Sequence, residues 1–157
     1  MDVYENLKAL GIELPEKLSA AGLYKPVNRT GNLLFISGQG SIDRGQHLTG
    51  RVGVTVSVEQ AQYAARVCAI NTLAALQDYL GDLNRIRRCV KILGFVAGAD
   101  DFTEQAKVIN GASQVFLDVF GEEGRHARSA IGTNSLPLGL VVEVESIFEI
   151  IPDGEEV

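Results

Sequence analysis

A run of small residues at helical spacing restricts the fold of this chain more than any other feature. Ser57-Val-Glu-Gln60 matches a capping box, with Ser57 as N-cap and Gln60 three residues on. The segment behind it predicts a helix to about Leu80, stopped by Gly81. Its Ala61, Ala64, Ala65, Cys68, Thr72, Ala75 and Leu76 fall on one narrow stripe. So little side-chain bulk suits a helix lying flat on a β-sheet. The rest of the chain must supply that sheet.

Strand signals lie on both sides of the helix. A first strand is predicted within 24–29, then a tight turn at Thr30-Gly31-Asn32. The apolar run 33–37 reads as a short strand buried on both faces, leading into Gly38-Gln39-Gly40. Residues 41–55 read as a polar loop with short strand pieces, and 86–97 as another strand. Apolar residues at 3, 7 and 10 predict a short helix ending at Gly11, and 12–21 a connector followed by a turn. Asp101-Phe-Thr-Glu104 offers a second capping pattern, ahead of a helix carrying Val108, Ile109, Ala112, Val115, Phe116 and Val119 to around Gly121. The acidic tail 152–157 is expected to fray.

The closing stretch 125–151 carries the chemistry. Residues 127–133 alternate, Leu136-Pro-Leu-Gly139 makes a turn, and 140–151 alternates again with Val, Ile and Phe. Read as a hairpin centred on Pro137 and Leu138, it pairs residues whose numbers sum to about 275. That pairing puts Arg128, Glu143 and Glu145 on one face and Val142, Val144, Phe148 and Ile150 on the other. An arginine and a carboxylate between apolar strands make a candidate site; spacing alone leaves open a structural ion pair. Glu145 reads equally as an exposed ladder charge. The element order, β-β-α-β-α-β-β with a helical prefix, predicts an α+β fold with one mixed sheet and two helices on one face. A single domain over 1–157 is expected, with 1–21 as an extension. The other sheet face has nothing left in the chain to cover it, which implies an oligomer.

Composition removes several function classes. The chain has 157 residues, 46% hydrophobic, and a formal net charge of -6. Its one dense basic run, from Arg85 to Lys91, reads as an edge or solvated surface, so no nucleic acid is expected as a partner. Cys68 and Cys89 lie in apolar patterns and read as buried free thiols in a reducing cytosol. The start lacks a basic, then apolar, leader, and no apolar stretch reaches membrane-spanning length, so a cytoplasmic protein without membrane contact is expected. His47 and His126 lack metal-ligand spacing, so no metal is expected. Gly38-x-Gly40 lacks the third glycine of a dinucleotide fingerprint. Ser37 and Ser129 lack a nucleophile elbow. His126, two positions before Arg128, reads as a surface-loop histidine.

Taken together, Ala127-Arg-Ser-Ala-Ile, Leu136-Pro137 and Val142-Glu-Val-Glu-Ser-Ile resemble the closing signature of the reactive intermediate deaminase family (RidA, or YjgF-like, formerly L-PSP endoribonuclease). Tyr24, Thr30-Gly31-Asn32-Leu33, Ile36-Ser-Gly-Gln39 and Asn110 resemble its earlier positions. The resemblance implies a chorismate-mutase-like fold and a homotrimer with ligand clefts between subunits. It implies that Arg128 grips a substrate carboxylate and that Glu143 holds or activates water. Tyr24, Ser37, Gly38 and Asn110 would shape the cleft from the neighbouring subunit, and Ala130, where many members carry cysteine, would offer backbone. The implied reaction is cofactor-free hydrolysis of a 2-imino or 2-enamino acid to a 2-keto acid and ammonia. A small-carboxylate binding or sensing module without turnover, and an endoribonuclease, stand as alternatives.

Overall fold

The structure, a computed structural model, describes residues 2–16 and 22–155; most of the turn predicted at the end of 12–21 lies outside them. Ser57 Oγ accepts the Gln60 N–H at 3.1 Å and Gln60 Oε1 accepts the Ser57 N–H at 2.9 Å. Helix α2 (Val58–Leu80) therefore starts at the predicted box, and Gly81 ends it in the left-handed region at φ 74. Helix α1 (Val3–Ala9) is capped by Asp2. It docks on the far ends of the later elements: Val3 N–H bonds Asn84 Oδ1 at 2.9 Å, and the Asn6 amide bonds the Val119 carbonyl at 2.8 Å.

One sheet carries β1 (Val27–Thr30), β2 (Leu33–Gly40), β5 (Ile86–Ala97), β6 (Ala127–Thr133) and β7 (Val142–Ile150), in the order β1-β2-β7-β5-β6. Strands β3 (Ile42–Asp43) and β4 (Gln46–His47) form a separate small ribbon within the predicted loop. Helix α3 (Gln105–Phe120) lies beside α2. Cys68 Sγ lies 3.4 Å from the Val142 carbonyl, the close seat that the small stripe of α2 allows. Alternation along β7 then works as expected: Val142, Val144, Phe148 and Ile150 are buried under the helices. Phe148 stacks edge-on against Phe116 of α3, with centroids 5.4 Å apart.

Four expectations change. Strands β6 and β7 are not a hairpin: β5 lies between them, parallel to β6 and antiparallel to β7. Residues 134–141 cross the end of β5, whose Ala97 N–H donates to Val141 O while Gly98 N–H donates to Thr133 O. Strand β2 is buried on one face only; Leu34 and Ile36 point inward, whereas Phe35 is 42% exposed. Helix α3 starts after Glu104 with no side-chain cap. The tail is pinned rather than frayed as far as Glu155, because Asp153 pairs with Arg29 and Arg85 and Glu155 with Arg87.

Helices α2 and α3 are in close contact at Gly111, where an added Cβ would run into the Gln62 carbonyl. Alanine at an ordinary helical site gains about 0.5–1 kcal/mol over glycine. Here backbone must move to admit it, and overpacking costs about 1–3 kcal/mol. Gly111→Ala should therefore lower the urea midpoint without changing the slope of the transition.

Candidate functional site

The inserted β5 decides which side chains meet. Arg128 pairs in register with Ile92, and Ile92 with Ser146, so Arg128 shares the helix-covered face. Glu143 pairs with Phe95, and that residue with Ile131, on the open face. Arg128 and Glu143 therefore lie on opposite faces of the sheet within one chain. The shared face drawn from the hairpin register does not exist, because even positions of β6 align with even positions of β7 through β5.

Around Arg128 the contacts are neutral. Its Nη1 donates to Asn110 Oδ1 at 2.7 Å and to Ser113 Oγ at 3.2 Å. Asn110 and Ser113 are three apart on α3, so one helix face supplies both. Both bonds fall on the same nitrogen, which leaves Nε and Nη2 without a partner among the described residues. Arg29, Arg51, Arg85, Arg87, Arg88 and Arg125 each pair with a carboxylate, whereas Arg128 faces none among the described residues. Ala130 follows on the same face, opposite Gly94, and β6 is an edge strand with one side of its backbone unladdered.

Behind Ser113 stands His126, which is half-buried rather than a surface-loop residue. Its Nδ1 is 2.6 Å from the Gly124 carbonyl and its Nε2 is 2.9 Å from Ser113 Oγ. The ring packs edge-on against Phe116 at 6.0 Å. Burial pushes its pKa down, the Gly124 bond opposes this, and the Arg128 charge adds to the lowering. Sequence reading missed Ser113 altogether. The available signal was its three-residue spacing from Asn110, together with the shared parity of 126 and 128.

The second group sits around a bulge in β2. Ladder pairing jumps from Ile36 to Gln39, leaving Ser37 and Gly38 in the irregularity. A Cβ on Gly38 would meet Glu143, with the carboxyl carbon 2.8 Å away, so only glycine leaves room for that side chain. Ser37 Oγ donates to Lys25 O at 2.6 Å, tying the segment after Tyr24 to the bulge. Tyr24 is half exposed there. Burial first, and Glu145 second, push the Glu143 carboxyl above its ordinary range. Asn110 belongs to the Arg128 group of its own chain, while Gly38 lies against Glu143 with Ser37 beside it in the bulge. Tyr24 comes one residue before Lys25, whose carbonyl Ser37 holds. Around this second group the open face exposes Phe35 and Ile131.

Among the described residues no cluster of three or more His, Cys, Asp or Glu could hold a metal ion, and no helix is long and apolar enough to cross a membrane. Residues 5–150 match the family model described as "YjgF/chorismate_mutase-like, putative endoribonuclease". Protein TCP17 of Trypanosoma cruzi is 45% identical over 150 residues, 94% of each chain. The crystal structure of protein Atu1372 from Agrobacterium tumefaciens superposes with a TM-score of 0.87 at 46% identity, over 95% of this chain and 94% of that one. RidA from a Psychrobacter species superposes at 0.60 with 28% identity, over 87% and 94%.

The folded-state pKa of His126 lies below its unfolded value near 6.5. Its neutral form is favoured by folding, so its contribution to stability is complete above about pH 6.5 and is lost as pH falls through the lower folded value. The stability advantage of wild type over His126→Gln should therefore shrink between pH 7.5 and pH 5, as read by thermal melting.

Proposed function

Because this chain belongs to the YjgF/chorismate-mutase-like family, we propose that it hydrolyses 2-imino and 2-enamino acids at a cleft completed by two copies of itself. The observation that carries this reading is the side-on edge of Arg128, Nε and Nη2 together, which among the described residues has no hydrogen-bond partner and is faced by no carboxylate. Two parallel donors on a planar fork suit a carboxylate, a task lysine performs poorly. The substrate brings the anion that the chain itself withholds.

Glu143 is the proposed water-holding group. Burial and Glu145 raise its pKa, which makes it a better proton acceptor than an ordinary surface carboxylate. Since Arg128 and Glu143 are on opposite faces, the reading needs the edge region of one copy against the open face of the next. Such unlike patches form a heterologous contact, which closes as a ring such as a trimer. The apolar open face, with Phe35 and Ile131, supplies the surface such a contact buries.

In the proposed step an enamine first tautomerises to the imine. Water held by Glu143 attacks the imine carbon; one of its protons passes to the carboxylate and is returned to the former imine nitrogen, which gives the neutral carbinolamine. The carbinolamine then passes its hydroxyl proton, by way of the same carboxylate, to the nitrogen as the C–N bond breaks, which releases ammonia and leaves the carbonyl of the 2-oxo acid. The imine carbon is already electrophilic, so positioning anion and water supports much of the acceleration. Binding of a small carboxylate without turnover is the second reading, supported by the same Arg128 edge. Endoribonuclease activity is less well supported, since both ring nitrogens of His126 are engaged and His47 is on a distant, exposed ribbon.

The test generates imines in situ with an amino-acid oxidase and traps them with semicarbazide. Wild type should speed their loss. Arg128→Ala forfeits two charge-assisted bonds of about 1.5–3 kcal/mol each, a fall in kcat/KM of roughly a hundredfold to ten-thousandfold. Arg128→Lys should recover only part of it. No acceleration by folded wild type would leave the binding reading in its place.

A further inference from the structure

We propose that His126, acting through Ser113, is the positioning residue that sets the orientation of the Arg128 guanidinium and so the affinity for a substrate carboxylate. This rests on the assignment of Arg128 as the carboxylate-binding group. The Gly124 carbonyl can only accept, so Nδ1 of His126 carries the proton and Nε2 of the neutral ring is an acceptor. The Ser113 hydroxyl, 2.9 Å away, has that acceptor as its partner. With its hydrogen turned to His126, the Ser113 oxygen presents lone pairs to Arg128 Nη1 at 3.2 Å. Hydrogen bonds then run one way, from Arg128 to Ser113 to His126 to Gly124.

The direction matters because a serine hydroxyl rotates freely. Without an acceptor behind it, the hydroxyl hydrogen can swing toward the guanidinium, where one donor would face another. Asn110 alone would then hold Nη1, leaving the planar group a single pivot. Two acceptors on one nitrogen fix the plane and aim Nε and Nη2 outward as a pair. The ring of His126 is held in turn by its edge contact with Phe116 and by burial. Among the described residues its contacts are the uncharged Ser113 and Phe116 from α3 and Gly124 from the preceding turn, and the Arg128 charge opposes its protonation. Glu122 and Arg125, nearby in sequence, pair with each other at the surface.

The test is a double-mutant cycle read by binding of pyruvate, a small 2-oxo carboxylate, so that turnover is not required. Ser113→Ala and His126→Phe should each weaken pyruvate binding about three- to tenfold, the loss of one neutral hydrogen bond. The double variant should be no weaker than the worse single variant, because both cut the same chain. His126→Gln offers its amide oxygen as acceptor and should recover most of the affinity. Thermal melting of each variant checks that it is folded, and Ser113→Ala stands alone if His126→Phe fails to fold. Losses that multiply in the double variant, or no recovery with glutamine, overturn the proposal. Wild-type affinity in Ser113→Ala and His126→Phe, alongside loss in Arg128→Ala, also overturns it and leaves the carboxylate site intact. Failure of wild type to bind pyruvate, or unchanged binding by Arg128→Ala, overturns the carboxylate assignment and the proposal with it.

Discussion

Strand β5 holds β6 through a parallel ladder on one side and β7 through an antiparallel ladder on the other. That insertion fixes the face on which every side chain of the last two strands emerges. With β5 in the middle, Arg128 lies under the helices within reach of α3, and Glu143 lies on the open face against the β2 bulge. Remove β5 from between them and the two charged groups could neutralise one another inside the chain. Kept apart, Arg128 faces no carboxylate among the described residues, and Glu143 has a pKa raised by burial and Glu145.

The two half-sites differ in construction. Around Arg128 the geometry comes from hydrogen bonds between side chains, Asn110 and Ser113 from one turn of α3 with His126 behind. Around Glu143 it comes from backbone: a bulge that places Gly38, and the missing Cβ that lets the carboxylate lie against the strand. A bulge is difficult to repair by side-chain change, whereas a hydrogen-bonded buttress can be tuned one residue at a time.

Much of this was legible in the sequence. The capping box at Ser57, the stop at Gly81 and the strand 86–97 are local signals, and the structure has them where the residues place them. The family signature names residues that the structure brings together in two groups, Asn110 of α3 with Arg128 and Gly38 with Glu143. Strand neighbours were not legible, because alternation tells which residues of a strand share a face but not which strand lies beside it. A turn-like Leu136-Pro-Leu-Gly139 favours the adjacent hairpin, yet the chain uses it to step over β5, a strand far upstream that ends at Ala97. Nor was the partial burial of His126 visible, since it depends on Phe116 and Ser113 arriving from α3. The pinned tail depended likewise on distant arginines.

The central claim, that one copy supplies Arg128 and another supplies Glu143, is tested most directly by subunit complementation. Arg128→Ala and Glu143→Gln proteins, each inactive alone in imine hydrolysis, would be unfolded together, refolded as mixed oligomers and assayed. Random mixing in a ring restores an intact Arg128–Glu143 combination at about a quarter of the sites, so activity should reappear at up to roughly that fraction of wild type. Mixed oligomers that form and stay inactive would contradict the account, placing both residues in the service of a single chain.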